Sequence, residues 1–393
     1  MKKLSIVLLA IVLGLSLCVI GCQPEEPMPE GDVDTPAVDE AAGEPIVIGA
    51  ILRLTLGASD GLPARKGVEF AVEEINEAGG INGRPLEVIF EDSKDNATDA
   101  VNAANKLISL DNVPVIIGPM MSGNTLAAAP IAEDNGVVLI SPNATSPKVS
   151  EAGEFIFRGC SRIDMQSEAL VKYAVENYGV EKAAILYSNE PYGEGFSKLL
   201  KLYFEEYGVE VVVEESFMRG DTDFKAQLTK ISGFEFDLLC IPGYLQETAP
   251  AIAQARTIGI TAPSLGGFGD MAPLYIELAG DAAEGHIITG EYDEDYDTPK
   301  NEAFVEKYYA YIEENPNDPN NIMFASITYD MVYLVAEAMT EVGTDPAAIK
   351  DYLDNVSDFD GVTGKLSFDE NGDVVKGGIY VFEVIEGKYV KMD

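Results

Sequence analysis

Two turns of this sequence combine hydroxyl groups with backbone N–H groups and contain no basic side chain. The first turn places Ser122 and Gly123 between an apolar run and a helical pattern rich in small residues. The second turn, with Asn143, Ala144 and Thr145, follows the next apolar run. A helix N-terminus supplies unpaired N–H groups and a partial positive charge. Either turn alone is typical of a helix cap, but two adjacent turns of this kind predict a site for one carboxylate.

The elements that carry these turns alternate between apolar, β-branched runs and amphipathic helical patterns. In the first part of the chain the runs fall at 45–52, 86–92, 113–119 and 136–142, and helices are predicted at 65–78, 97–110 and 124–134. This alternation predicts a parallel sheet with helices on both faces, whose ligands lie beyond the carboxyl ends of the strands. After a break at "FIFRGCSRID" the alternation starts again. We therefore predict an α/β fold of two doubly wound parallel-sheet lobes.

The tail of the chain follows the second sheet with three helical patterns, at 302–314, 326–342 and 346–356. Their position predicts that the chain crosses back to lobe 1 through a hinge with several crossings. A closing hairpin is predicted between "GKLSFD" and "GGIYVFEVIEGKYVKM", joined through the turn signal Asn371-Gly372. The predicted lobes are 46–160 plus 292–368 for lobe 1, and 161–291 plus 369–393 for lobe 2.

The N-terminus has the pattern of a bacterial-type lipoprotein signal peptide. Two lysines precede an apolar run that ends in Val19-Ile20-Gly21-Cys22, so a signal peptide is predicted over 1–22 with Cys22 as the lipid-bearing residue. Residues 23–45 are rich in proline and acids and contain no base, which predicts a disordered acidic tether. These features place the folded part at the outer face of a cell membrane, in the periplasm or at the cell exterior.

Composition excludes several classes of function. The chain has 393 residues and a formal net charge of −41, from 67 acidic and 26 basic residues, whereas nucleic-acid binding needs a basic surface. No nucleophile–base pair and no metal-ligand spacing can be argued from the sequence, so no enzymatic activity, metal or cofactor is expected. The single histidine, His286, is predicted to be structural, and Cys160 and Cys240 are expected to be two separate buried thiols.

Several stretches together resemble the extracytoplasmic solute-binding proteins of ABC importers for branched-chain amino acids and amides, which have the type I periplasmic binding fold. They include "GVEFAVEEINEAGGINGRPLEVIFEDSKDNATDAVNAANKLI", "VIIGPMMSGNTLAAAPIAEDNGVVLISPNATSP" and "AGDAAEGHIITGEYD". The resemblance implies a lipid-anchored, monomeric receptor that captures a small carboxylate-bearing solute between its lobes and delivers it to a membrane permease and ATPase. The solute could be an amino acid, an amide, or an aromatic or branched carboxylate. The alternative is a ligand-sensing subunit of a membrane signalling protein.

The resemblance also implies ligand contacts at individual positions. It places the ligand carboxylate on Ser122 and on the turn 143–145, and it assigns Tyr192 and Tyr244 to the wall formed by lobe 2. Asp60 stands near the position where many members of the family have an aromatic residue.

The main departure from the family is Phe268. Members that bind α-amino acids usually have Asp or Glu at this position, to pair with the ligand ammonium. Without that acid we expect the far end of the ligand to be apolar or weakly polar and to pack on Phe268, the two tyrosines and Met121, so that aromatic or branched carboxylates, or amides, outrank leucine. Asp60 and Asp270 are the two acids that could pair with an ammonium instead.

Overall fold

The structure is a computed structural model that describes residues 43–376 and 378–392. The predicted signal peptide, Cys22 and most of the predicted tether lie outside the described residues. The chain enters lobe 1 directly through an apolar strand at residue 46.

Lobe 1 contains a parallel sheet with helices on both faces. Its elements are β1 Ile46–Leu52, α1 Ala58–Glu77, β2 Leu86–Asp92, α2 Ala97–Ser109, β3 Val115–Ile117, α3 Ser122–Asn135, β4 Val138–Ser141 and β5 Ile156–Arg158. The five strands are all parallel, in the order β2-β1-β3-β4-β5. The strands β3, β4 and β5 are buried along their whole length, because helices cover both faces of a parallel sheet. The break predicted at "FIFRGCSRID" therefore contains the fifth strand.

Lobe 2 repeats this arrangement. Its elements are α4 Ile163–Tyr178, β6 Lys182–Ser188, α5 Pro191–Glu206, β7 Glu210–Phe217, α6 Lys225–Ile231, β8 Leu238–Cys240, α7 Leu245–Thr257, β9 Ser264–Leu265, α8 Pro273–Ala279 and β10 His286–Gly290. The parallel strands run in the order β7-β6-β8-β9-β10, which matches lobe 1 strand for strand. The predicted fold of two doubly wound parallel-sheet lobes is confirmed.

The tail completes both lobes. Its elements are α9 Pro299–Glu314, α10 Ile322–Val342, α11 Pro346–Asn355, β11 Phe359–Gly361, β12 Gly364–Phe368, β13 Val374–Lys376, β14 Tyr380–Ile385 and β15 Lys388–Lys391. The helices and the small sheet β11-β12-β13 join the core of lobe 1, and β14 and β15 form an antiparallel edge on the sheet of lobe 2. The chain thus crosses between the lobes three times.

Two predictions about the tail are wrong. The strand β12 pairs with the short strand β13, and not with the predicted segment that begins at residue 377. The change of lobe predicted at 368/369 also falls too early, because β13 stays with lobe 1 through its pairing with β12 and through a bridge between Arg158 and Asp373. The third crossing follows Lys376.

The helix α10 is the central helix of lobe 1. It is long and apolar enough to cross a membrane by composition, but 89% of its most hydrophobic window is buried inside the protein, as in a core helix. It lies against α1, where the Thr328 hydroxyl donates to the Ala64 carbonyl at 2.7 Å. The thiols of Cys160 and Cys240 are both buried and unpaired, as expected from the sequence.

The contact between α1 and α10 generates a stability prediction. A Cβ atom at Gly67 would lie 2.0 Å from the Ala325 carbonyl oxygen, so Gly67→Ala should lower the free energy of unfolding by about 1–3 kcal/mol. The matched control is Gly195→Ala in α5, where the nearest neighbour is 4.0 Å away and the change should stabilise slightly. Urea unfolding followed by circular dichroism measures both, and equal stability of the two variants would contradict this contact.

Candidate ligand-binding site

A cavity lies between the lobes where the carboxyl ends of the two parallel sheets face each other. It contains about 330 Å³ of space between protein atoms, including its open mouth. Lobe 1 contributes the segments after β1, β3 and β4, and lobe 2 the segments after β6, β8 and β9. The lining residues are Arg53, Asp60, Met120, Met121, Ser122, Asn143, Thr145, Tyr192, Tyr244, Phe268, Gly269 and Phe324. This is the edge of an open α/β sheet where ligands bind.

Eight of the ten predicted contact residues line this cavity, and Gly123 and Ala144 do not. Gly123 faces lobe 2, where a Cβ atom would lie 3.9 Å from the ring of Pro191. The Ala144 N–H donates to Ser141 Oγ at 3.1 Å, and its carbonyl accepts from Arg158 at 3.0 Å. Gly123 and Ala144 therefore stay predictions: neither is among the lining residues, and the Ala144 N–H is already hydrogen-bonded within lobe 1.

The two hydroxyl-bearing turns contact each other directly. Ser122 is the first residue of α3, and its Oγ accepts the Ser146 N–H at 3.2 Å. The hydroxyl hydrogen of Ser122 remains available to a ligand, because the oxygen acts here as an acceptor. Asn143 Oδ1 is buried and has no partner in the described structure. The expected site for a carboxylate is thus one continuous surface, with the N-terminus of α3 beneath it.

Arg158 holds the second turn in place. This side chain is 1% exposed, and its Nη1 atom donates to the carbonyls of Ala144 and Ser146 at 3.0 and 2.9 Å. Its charge is paired with Asp373, which comes from the tail of the chain. Because these carbonyls would otherwise be buried without a partner, the guanidinium stabilises the conformation of the turn.

Aromatic side chains form the opposite wall. The rings of Tyr192 and Tyr244 lie 5.0 Å apart, and Phe268 packs edge-on against Phe324 of α10 at 5.6 Å. Burial raises the pKa of both tyrosines well above the usual value, so they are neutral phenols at physiological pH. The wall therefore offers apolar surface and the Tyr192 hydroxyl, which has no partner among the described residues, whereas the Tyr244 hydroxyl donates to Glu190 Oε2 at 3.4 Å.

The acid of the cavity is Asp60, in the first turn of α1. Its Oδ2 accepts from Arg53 Nη1 at 2.6 Å, and both side chains are almost fully buried. Burial raises the pKa of Asp60, and the nearby Arg53 guanidinium lowers it in part. Gly57 makes the pairing possible: at φ 83° it has no Cβ, which would lie 2.2 Å from the guanidinium nitrogens.

Asp270, the other candidate acid, faces away from the cavity. It is fully buried, accepts from the Thr248 hydroxyl at 2.6 Å, and pairs with His286 Nε2 at 3.2 Å. His286 also contacts the Ser264 hydroxyl and stacks on Tyr275. This network fixes the turn that carries Phe268 and leaves Asp60 as the acid that can meet a ligand.

Two lobes that close on a cavity of this composition define a solute-binding protein. The periplasmic binding protein family matches residues 45–388, and the chain belongs to this family. The leucine-, isoleucine-, valine-, threonine- and alanine-binding protein of Pseudomonas aeruginosa is 33% identical over 323 residues, which cover 81% of this chain and 84% of that protein.

Solved structures are similar over nearly the whole folded part. The branched-chain amino acid transporter substrate-binding protein LivJ of Streptococcus pneumoniae, in complex with isoleucine, is 33% identical with a TM-score of 0.79, over 88% of this chain and 100% of that chain. The leucine-binding protein LivK of Thermotoga maritima is 31% identical with a TM-score of 0.82, over 88% and 98%. The class is therefore a type I periplasmic binding protein and not an enzyme.

Sequence reasoning missed four lining residues. Arg53 ends the first strand region and carried no pattern of its own, whereas Met120 and Gly269 adjoin residues that were predicted. Phe324 lies in the first turn of α10, which begins at Ile322 and not at the predicted 326. The apolar residues from Ile322 onward are the signal that would have placed Phe324 in this helix.

The predicted carboxylate site at Ser122 and Thr145 can be tested with paired variants. Thr145→Val should weaken ligand binding by about 1–3 kcal/mol, because a charge-assisted hydrogen bond is lost, whereas Thr145→Ser should bind nearly as well as the wild type. Ser122→Ala should weaken binding similarly and also reduce stability by about 1 kcal/mol, because the buried Ser146 N–H loses its acceptor. Calorimetric titration and thermal unfolding measure the two effects. Unchanged affinity in both Thr145→Val and Ser122→Ala would rule out this surface.

Proposed function

We propose that this protein captures a small α-amino acid in the interlobe cavity, at the outer face of the membrane, and delivers it to the permease and ATPase of an ABC importer. The observation that carries the proposal is one cavity with two hydroxyl-bearing turns and a buried acid among its lining residues. Relatives at 33% identity support it, since one is named for binding five amino acids and another is in complex with isoleucine.

The carboxylate of the ligand is expected at Ser122 and Thr145. Both residues line the cavity, and Ser122 opens a helix of 14 residues whose first N–H groups have no partner within the helix. Hydroxyl and N–H donors at a helix N-terminus favour an anion. A neutral hydroxyl surface without lysine suits a single carboxylate of a ligand that carries no net charge.

The ammonium of the ligand is expected at Asp60. Its two oxygens accept from Arg53 and from Ser59, and a carboxylate has about four acceptor positions, so capacity for a further donor remains. Arg53 also shares its charge with Asp95. The expectation that aromatic or branched carboxylates, or amides, outrank leucine followed from the lack of an acid at Phe268. We propose the opposite order, because Asp60 lines the cavity and can pair with an ammonium.

The side chain of the ligand is expected on the aromatic wall. Phe268, Tyr192, Tyr244 and Met121 all line the cavity and are more than nine-tenths buried. Each square ångström of apolar surface removed from water contributes about 25 cal/mol, so branched or aromatic side chains gain most from this wall.

Leucine and 4-methylpentanoate separate the ammonium from the rest of the ligand, since they share one carbon skeleton. We expect leucine to bind more than tenfold more tightly, because an ammonium next to a buried carboxylate makes a charge-assisted hydrogen bond. Asp60→Asn should remove most of this difference, and Asp99→Asn, which alters an acid of the same lobe outside the cavity, is the matched control for the change of charge. Calorimetric titration of both compounds against the wild type and the two variants gives the six affinities. Equal binding of the two compounds to the wild type would contradict the ammonium site.

The anchor is a separate part of the proposal. Cys22 ends a lipobox and precedes an acidic segment without a base, so we propose that it carries the lipid and that the folded part is tethered to the membrane. Cys22→Ala should shift the protein from the membrane fraction to the soluble fraction in cells. Retention of the variant in the membrane fraction would show that another element anchors it.

A further inference from the structure

A chain of five charged side chains crosses the cleft beside the cavity. Asp60, Arg53 and Asp95 belong to lobe 1, and Arg53 is 2.6 and 3.0 Å from the two acids. From lobe 2, Arg219 donates across the cleft to the same oxygen of Asp95. Arg219 also pairs with Glu247 of its own lobe at 2.7 Å. The signs alternate from the cavity to the far side of the cleft, so every neighbouring pair attracts.

The burial of the side chains determines which of these ion pairs salt can weaken. The side chains of Arg53, Asp60 and Glu247 are 2%, 6% and 5% exposed, whereas that of Arg219 is 27% exposed. The Arg53–Asp60 pair is therefore shielded from salt, whereas both pairs of Arg219, with Glu247 and with Asp95 across the cleft, are within reach of it. A second contact, from Gln246 to the Ser59 hydroxyl at 3.0 Å, also crosses the cleft, but it carries no charge.

Arg219 also contacts the wall of the cavity from behind. Its guanidinium carbon lies 4.3 Å from the centre of the Tyr244 ring, which is within the range of a cation–π interaction. Glu247 accepts the Gly220 N–H at 2.9 Å and so fixes the loop that carries Arg219. One side chain therefore touches a lining residue of lobe 2 and an acid of lobe 1, without lining the cavity itself.

We propose that Arg219 is a positioning residue that sets ligand affinity by coupling closure of the lobes to the placement of Tyr244. The step to ligand affinity rests on the proposed function, whereas the contact across the cleft does not. When the lobes close, Arg219 gains Asp95 and is held over the Tyr244 ring. When they open, Asp95 pairs only with Arg53. Arg219 is then no longer held against the Tyr244 ring.

The first arm of the test is a double-mutant cycle with leucine. Arg219→Gln and Asp95→Asn should each weaken leucine binding about tenfold. The loss of affinity in the double variant should be much smaller than the product of the two single losses. Arg219→Lys, which keeps the charge but not the fork, should lie between Arg219→Gln and the wild type. Lys201→Gln is the control, because Lys201 pairs with Glu214 inside lobe 2.

The second arm is salt. Leucine has no net charge, so its encounter with an acidic protein depends little on ionic strength, and a salt effect reports on the protein. Raising NaCl from 0.02 to 0.5 M, roughly a fivefold change in Debye length, should weaken binding to the wild type several-fold and to Arg219→Gln hardly at all. A purely structural role of Arg219 would not remove the salt effect.

The third arm needs no ligand. In hydrogen exchange of the full-length protein, Asp95→Asn in lobe 1 should speed exchange of residues 218–221 and 243–248 in lobe 2. Asp99→Asn should not, because Asp99 pairs with Lys94 in its own lobe. If the wild type binds neither leucine nor any other α-amino acid, the proposed function is contradicted and this arm still decides the role of Arg219. Unchanged exchange in Asp95→Asn, or affinity effects that multiply in the cycle, would overturn the inference.

Discussion

In a parallel sheet every strand ends at the same edge, and this constraint determines where the functional residues of the protein meet. The strand order β2-β1-β3-β4-β5 of lobe 1 is repeated as β7-β6-β8-β9-β10 in lobe 2. Because the carboxyl edges of both sheets face the cleft, residues as distant in sequence as Ser122, Tyr192 and Phe268 line one cavity. Three crossings of the chain connect the lobes, so hinge movement about these segments would open or close the cavity between the lobes.

Charge burial adds a second constraint. Arg53 is 1% exposed, and an unpaired charge in such a position would cost several kcal/mol. Its neutralisation by Asp60 and Asp95 needs a left-handed glycine, Gly57, against which the guanidinium lies. The same pairing brings an acid into the cavity and places Asp95 where lobe 2 can reach it. The proposed ammonium site and the contact between the lobes are therefore linked through Arg53.

The sequence was sufficient for features that depend on local pattern and strand direction. Alternating apolar runs predicted both sheets, and the turns after two of the strands indicated Ser122 and Thr145 as residues of the cavity. Features that depend on distant contacts were missed. The choice between Asp60 and Asp270 depends on His286, which pairs with the buried Asp270 from 16 residues away in the chain. The strand β12 pairs with β13, and the segment predicted as its partner contributes β14 to the sheet of lobe 2 instead. No local signal marks Arg53 as the partner of Asp60.

The central claim is that the interlobe cavity holds the carboxylate of an amino acid on lobe 1 while Asp60 takes its ammonium. A crystal structure of the protein grown with saturating leucine tests this most directly. The account predicts density for one leucine in the cavity, with its carboxylate within hydrogen-bond distance of Ser122 Oγ and Thr145 Oγ1 and its ammonium beside Asp60. An empty cavity, or a leucine whose carboxylate faces Arg53 and whose ammonium faces the hydroxyl turns, would contradict it.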